Sequence, residues 1–405
     1  MTETVTTGTI WLLVSTALVL FMTPGVAFFY GGLVRAKSVV SMLMLSFGSM
    51  GLIGLLWVLY GANMTSIAED ASPWSFAGNP FSAFGLSGVS GEDLVSTVYG
   101  STFAIITVAL ISGAIADRAK FGSWMIFAAL WATLSYFPVA AWVWGGGWIG
   151  TVVPEWFGVD GVLDFAGGTV VHINSGAAAL ALAIVLGRRI GFDKGIAKPH
   201  NVPLVLIGAS VLWFGWFGFN GGAATDDATA GLIYLNTMVT PAAAILAWLV
   251  VEKLKTGKAT AVGAGTGAVA GLVGITPACD QLTPGAAILL GLIVGGVCAL
   301  AVNAKWVLGY DDSLDVVGVH LVGGLIGCVY LGFFANDSGL FYGYGWGQLG
   351  AQIVGSVPVA IYSFIVAFII GKVIDKTIGF RVKNEDEVAG IDLRVHGESG
   401  YALQN

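Results

Sequence analysis

Two histidines, His172 and His320, are the residues of this chain whose type and setting call for a chemical reason. Each sits in a run without formal charge: 23 residues between Asp164 and Arg188, FAGGTVVHINSGAAALALAIVLG, and 21 between Asp315 and Asp337, VVGVHLVGGLIGCVYLGFFAN. One bilayer crossing takes about 20 apolar residues, so both imidazoles are expected at membrane depth. A titratable side chain there needs a partner or a wet cavity to offset its desolvation, which makes it a functional-site candidate by default. Two neutral imidazoles in contact can share a hydrogen, offer a polar atom each to a passing solute and relay a proton. The two histidines are expected to be partners.

The elements that must hold them follow from composition. Of 405 residues 56% are hydrophobic and 10% charged, against roughly 25% charged in an average soluble domain. The chain reads as an all-α polytopic membrane protein. Apolar segments centred near residues 20, 50, 105, 132, 175, 211, 240, 268, 292, 325 and 360 predict eleven transmembrane helices in a domain covering 1–374, followed by a polar tail of mixed charge, 375–405. No basic region precedes the first apolar run, so no cleavable signal peptide is expected. Cys279, Cys298 and Cys328 form no disulfide or metal-ligand pattern and read as packing residues.

Charge tests the count, because cytoplasmic loops collect lysine and arginine. All 17 basic residues follow odd-numbered spans: Arg35 and Lys37; Arg118 and Lys120; Arg188, Arg189, Lys194 and Lys198; Lys253, Lys255 and Lys258; Lys305; and Lys372, Lys376, Arg381, Lys383 and Arg394. The alternate loops hold acids such as Glu69, Asp70, Glu92, Asp93, Glu155, Asp226, Asp227, Asp280 and Asp337. The N-terminus is expected outside and the C-terminus in the cytoplasm, in a multi-pass protein of the plasma membrane. His200 and His396, in the basic loop and the tail, read as solvated. Sixty glycines predict a tight bundle, since small residues let helices meet closely where lipid gives no hydrophobic drive. The glycine-rich runs 262–274 and 291–297 read as packing seams, not phosphate loops, for neither follows a strand.

Ten spans divisible into two fives suggest an inverted repeat, spans one to five against six to ten, with the eleventh added. His172 then lies on a helix running inward and His320 on one running outward. Asp164 precedes His172 by eight residues, and Asp315 precedes His320 by five. With each aspartate at the start of its helix, a rise of 1.5 Å per residue puts the histidines about 12 and 7.5 Å from the two membrane surfaces. That leaves roughly 10 Å between them in a core of about 30 Å. Contact requires both aspartates to be drawn inward by about 5 Å, as helix N-caps would allow.

Longer motifs carry a resemblance. DFAGGTVVHIN (164–174), WFGWFGFNGG (213–222) and DVVGVHLVGG (315–324) resemble the signature segments of the ammonium transporter family, the Amt, Mep and Rh proteins. MTPGVAFFYGGLVRAKSV (22–39), TFAIITVALISGAIADR (102–118) and GIDLRVHGESGY (390–401) are similar to the bacterial Amt branch, so the likeness covers nearly the whole chain. It implies a homotrimer with one pore per subunit. It also implies that Phe103 and Phe219 are the ring pair closing the pore from outside, and that Trp144 is the aromatic wall of an outer ammonium site with Asp164 beneath. His172 and His320 would be the paired pore histidines, and Trp216 a pore-lining residue near them. One position departs: Ala223, in FNGGAA, stands where many members have a serine, so a weaker or rearranged outer site is expected. The resemblance further implies that the tail contacts a PII-type regulatory protein.

The chemistry fits the substrate. Ammonium and potassium are similar monovalent cations, but ammonium is a proton donor that can become neutral. Aromatic faces attract a partly desolvated cation by about 0.5–2 kcal/mol, whereas dehydrating it fully costs of order tens of kcal/mol in the idealised limit. Losing the proton removes most of that cost, so deprotonation is the natural filter. Asp164 also reads simply as a helix cap, and Phe103, Phe219, Trp144 and Trp216 as members of an aromatic-rich core and interfacial belt. Two other functions stay open: an electroneutral channel for ammonia or another gas, and an ammonium sensor signalling through the tail. No HExxH or paired-acid motif supports an enzyme, and no cofactor or metal is expected.

Overall fold

The computed structural model describes residues 5–195 and 198–402. Helices follow in chain order: α1 (Thr7–Leu33), α2 (Val39–Met64), α3 (Gly91–Ile115), α4 (Phe121–Val143), α5 (Gly168–Leu186), α6 (Val202–Gly221), α7 (Asp227–Thr256), α8 (Ala261–Ile275), α9 (Pro284–Leu308), α10 (Val317–Phe334) and α11 (Gly347–Thr377). Ten are long and apolar enough to cross a membrane; α8, the expected span near residue 268, is not. Its 15 residues rise only about 22 Å. Beyond it the chain continues as a buried turn through Thr276, Ala278, Cys279 and Leu282. Among the described residues the one β-bridge joins Ala119 to Arg381.

Most helices start on a short polar side chain that accepts an otherwise unpaired amide hydrogen, worth about 1 kcal/mol each. Thr6, Ser90, Asn201, Asp226, Thr260 and Thr283 do this for α1, α3, α6, α7, α8 and α9. The helices then meet closely. A Cβ on Gly208 of α6 would fall on the backbone of Phe29 in α1, so glycine is what lets the first helices of the two halves touch. α5 is the most enclosed element, with Leu180 and Ile184 as its only residues that are not buried.

The halves correspond residue by residue around α5 and α10. The stretch before α5 is held crosswise by the end of α8: Phe165 N–H donates to Pro277 O at 3.2 Å and Ala166 N–H to Thr276 O at 3.3 Å. The stretch before α10 is held in the same way by the end of α3, Ser313 N–H donating to Ala114 O at 3.3 Å. Each half thus supplies the clamp for the other half's pore helix.

The tail is not the free segment that its polarity suggests. Phe380 O and Val382 N–H bond the backbone of Lys120 and Arg118. Glu387 accepts from Arg381 and from Ile190 N–H at 2.6 Å, and Asp392 caps the start of α2 through Val40 and Ser41 N–H. His200, expected to be solvated, bonds Val34 O and the Tyr401 hydroxyl at 2.8 Å each, and His396 packs edge-on against Phe121. The last three residues of the expected tail, 403–405, lie outside the described ones.

Candidate functional site

His172 and His320 lie in π-helical turns, Gly168–Ile173 and Val317–Leu321, at the openings of α5 and α10. A wider turn of this kind is rare and is found mostly at functional sites. Their Nδ1 atoms are 3.1 Å apart and the rings are inclined by 28° with centroids 5.2 Å apart. Close crossing of α5 and α10 makes this possible. Gly176 and Gly324, each four residues after its histidine, face the opposite helix. A Cβ on Gly176 would strike the backbone N of Leu321, and one on Gly324 would sit 3.2 Å from the Cβ of His172.

Asp164 is 5% exposed; its Oδ2 accepts Thr169 and Val170 N–H at 3.1 Å each, while Oδ1 has no hydrogen-bond partner. The expected counterpart, Asp315, does not repeat this. Its side chain is 33% exposed and ion-paired to Lys305, and its backbone is left-handed at φ 65°. The residue at the matching place in the first half is Gly167, φ 108°, which also stands five before its histidine. Aspartate tolerates this conformation better than most residues. Asp312 is the true counterpart of Asp164. It stands eight residues before His320, is 2% exposed, accepts Val317 N–H at 2.7 Å through Oδ2 and leaves Oδ1 unpartnered. An equal spacing to the histidine was the signal that could have found it.

Above the histidines the rings line up. Trp216 lies against His172 at 5.5 Å and 24°, its indole N–H held by the Thr276 hydroxyl at 2.9 Å. Phe219 is 6.1 Å from His172 and stacks on Phe103 at 4.3 Å and 27°. Trp144 meets Phe103 at 90° and donates its N–H to Asp164 O at 2.8 Å. Tyr99, which motif reading passed over, buttresses Phe103 and donates its hydroxyl to Gly218 O and Phe219 O.

The stacked phenylalanines divide two cavities. The outer one, of about 540 Å³, is lined among others by Phe103, Trp144, Phe219 and Ala223. The inner one, of about 20 Å³, is lined by His172, His320, Trp216, Tyr30 and otherwise mostly aliphatic residues. A site for one water needs about 10–15 Å³, so the inner passage takes a molecule of that size and no hydrated ion. Thr65, Trp144 and Ala223 lie just past the C-terminal ends of α2, α4 and α6. Helix C-termini carry partial negative charge, so the outer cavity favours a cation without a carboxylate in its wall.

At the opposite end Arg118, fully buried, donates to Asp311 O at 2.6 Å and to the Ser313 hydroxyl. Burial pulls its guanidinium down to about 10, so it stays charged. Burial works against the Asp311 carboxylate too, but the Arg189 hydrogen bonds and the Arg118 charge outweigh it and hold Asp311 below the usual range. The segment leading to His320 is staked from both sides.

An all-helical, membrane-spanning bundle with a narrow apolar passage interrupted by a buried histidine pair belongs to the class of integral membrane proteins that pass a small solute. The Ammonium Transporter Family model matches residues 10–401, and the chain belongs to that family. It is 48% identical to an ammonium transporter of Mycobacterium tuberculosis (strain ATCC 25618 / H37Rv), over 97% of this chain and 90% of that one. It is 44% identical to ammonium transporter Amt1 of Archaeoglobus fulgidus, over 96% and 98%. Among solved structures, Saccharomyces cerevisiae Mep2 superposes with a TM-score of 0.84 at 32% identity, covering 93% of this chain and 88% of that one. A protein described as a sensor Amt protein gives 0.87 at 28%, covering 96% and 98%. The chain is a multi-pass membrane protein that transports ammonium, and it is not an enzyme.

Proposed function

We propose that ammonium enters the outer cavity, loses a proton at or above the stacked rings, and passes as ammonia along the histidine pair, with the proton relayed. The observation that carries this reading is the 3.1 Å Nδ1 contact inside a passage too small for a hydrated cation. Trp144 and Phe103 would hold the cation by their faces, worth about 0.5–2 kcal/mol, with the three helix ends and Asp164 adding to the field. Phe103 and Phe219 would part to admit it. Trp216 lines the path, and Ala223 leaves the outer site without a side-chain hydroxyl at that position.

The basic loops favour an N-terminus outside and a C-terminus in the cytoplasm of the plasma membrane. That orientation needs α8 to count as an eleventh crossing, completed by the buried turn after it. The exposed apolar flank of α1 and α7, including Leu13, Phe21, Leu246 and Val250, is a suitable surface for a homotrimer, and the docked tail, which continues from a membrane domain of 1–374, for a PII-type partner.

The test is electrical. Ammonium and potassium currents are recorded across bilayers holding the parent, His172→Ala and His320→Ala. A smaller ammonium current or a new potassium current in each variant is expected. Unchanged flux and selectivity in both would refute the relay, and electrical silence in the parent would make the protein an electroneutral ammonia channel.

A further inference from the structure

We infer that Asp312 forms a second cation subsite, for ammonium or a small alkylammonium, at the mouth opposite the aromatic cavity; this rests on the pore reading above. Asp164 and Asp312 share their spacing, their capping role and a bare oxygen, although Asp164 caps two amides and Asp312 one. Each stands eight residues before its histidine, each caps the opening of its helix through Oδ2, and each keeps a buried, unpartnered Oδ1. Each also stands two residues before a cavity-lining residue, Ala166 at the outer cavity and Leu314 at the inner end of the pore.

A cap needs one carboxylate oxygen. A second oxygen left bare in a 2% exposed side chain is an unsatisfied acceptor, which is costly to keep without a ligand. Lys305 does not use it. Its Nζ, itself buried, is held by the Asp315 carboxylate and by the backbone O of Asp312 at 3.0 Å. That contact also shows that this corner accepts a primary ammonium group through a carboxylate and a carbonyl. Two carboxylates against one lysine leave a net negative charge in this corner, and Tyr30, a polar residue of the adjoining pore wall, directs its hydroxyl elsewhere, to Leu110 O at 3.1 Å. A buried carboxylate therefore lies behind the wall at each end of the pore, Asp164 at one and Asp312 at the other, where its field favours a cation.

The test separates charge from capping. Asp312→Asn keeps an oxygen that can accept the Val317 N–H but removes the charge. Ammonium-dependent currents are measured in right-side-out and everted vesicles, with sidedness assigned by protease access to the tail. Asp312→Asn is expected to raise the apparent KM for ammonium roughly tenfold when ammonium is presented on the tail side, and to leave the KM on the other side nearly unchanged. Asp164→Asn should give the reverse. Lys305→Met, which removes the neighbouring cation, should lower the tail-side KM, a shift that loss of structure would not produce. An unchanged tail-side KM in Asp312→Asn, or equal increases on both sides, would overturn the subsite. His172→Ala and His320→Ala are the separate controls: if both conduct as the parent does, it is the pore reading that fails, an outcome distinct from an unchanged tail-side KM in Asp312→Asn.

Discussion

The Nδ1 atoms of His172 and His320 face each other at 3.1 Å, a distance at which one must carry a hydrogen and the other must not. A neutral imidazole has one N–H and one bare nitrogen. The ring that donates through Nδ1 therefore offers a bare Nε2 to the pore, and its partner offers an Nε2–H. The Nε2 of His172 is buried and without a protein partner, free to meet ammonia in either role. Nitrogen-15 spectra of histidine-labelled protein should show one Nδ1–H and one Nε2–H tautomer in the pair. Two Nε2–H tautomers would set two lone pairs against each other and would contradict the shared hydrogen.

Ala223 lines the outer cavity without a polar atom on its side chain. Ala223→Ser adds an acceptor whose bond to a cation is worth at most about 1.5–3 kcal/mol before solvent competition. The apparent KM for ammonium should fall roughly threefold to tenfold at unchanged maximal rate. Identical uptake by parent and variant at low ammonium would show that the rings and helix ends already saturate the site.

Gly176 fixes how near α5 comes to α10, because a methyl group there meets the Leu321 backbone, which cannot step aside. Gly176→Ala should separate the helices, lengthen the histidine contact and lower ammonium current at least tenfold, with destabilisation of about 1–3 kcal/mol. Gly324→Ala, whose Cβ would stand 3.0 Å from the nearest atom, should be milder. Equal currents in the parent and Gly176→Ala would mean that the contact survives wider spacing.

Burial pushes the Asp312 carboxyl up to about 6, with Lys305 pulling the other way, whereas an unfolded aspartate titrates near 3.9. A folded-state value above the unfolded one means that the folded protein takes the proton first. The stability this contributes is present below about pH 4 and lost as pH rises through 6, by up to about 3 kcal/mol. Thermal unfolding in detergent between pH 4 and 7 should lose less stability in Asp312→Asn than in the parent. Parallel curves would show that Asp312 takes no part.

The Glu387 side chain is 3% exposed and pairs with Arg381 while also accepting Ile190 N–H. Arg381 is 23% exposed, so removing Glu387 costs mainly its hydrogen bonds, about 1–3 kcal/mol, a large share of what a short docked segment gains. Glu387→Ala should release the tail, seen as rapid protease cleavage beyond residue 380 with α1–α11 intact. A tail still protected would be held mainly by Asp392 and Tyr401.

Sequence alone determined the membrane class, the membrane-spanning helices, the segregation of basic residues and the two histidines as the groups to explain, because apolar run length and charge are local properties. Motif reading also singled out Phe103, Phe219, Trp144 and Trp216, which tertiary structure gathers into one column of rings. It mistook Asp315 for the partner of Asp164. The depth argument assumed that helical rise begins at the aspartate, whereas α5 starts at Gly168 and α10 at Val317, and a non-helical stretch covers more than 1.5 Å per residue. Which aspartate turns inward depends on a left-handed φ at residue 315 and on Lys305, and the docking of the tail depends on loops more than 180 residues away in sequence, such as Ile190. Such contacts have no period along the chain. They exist only once the two halves have been packed against each other, and it is this packing that decides that two isolated imidazoles become a pair.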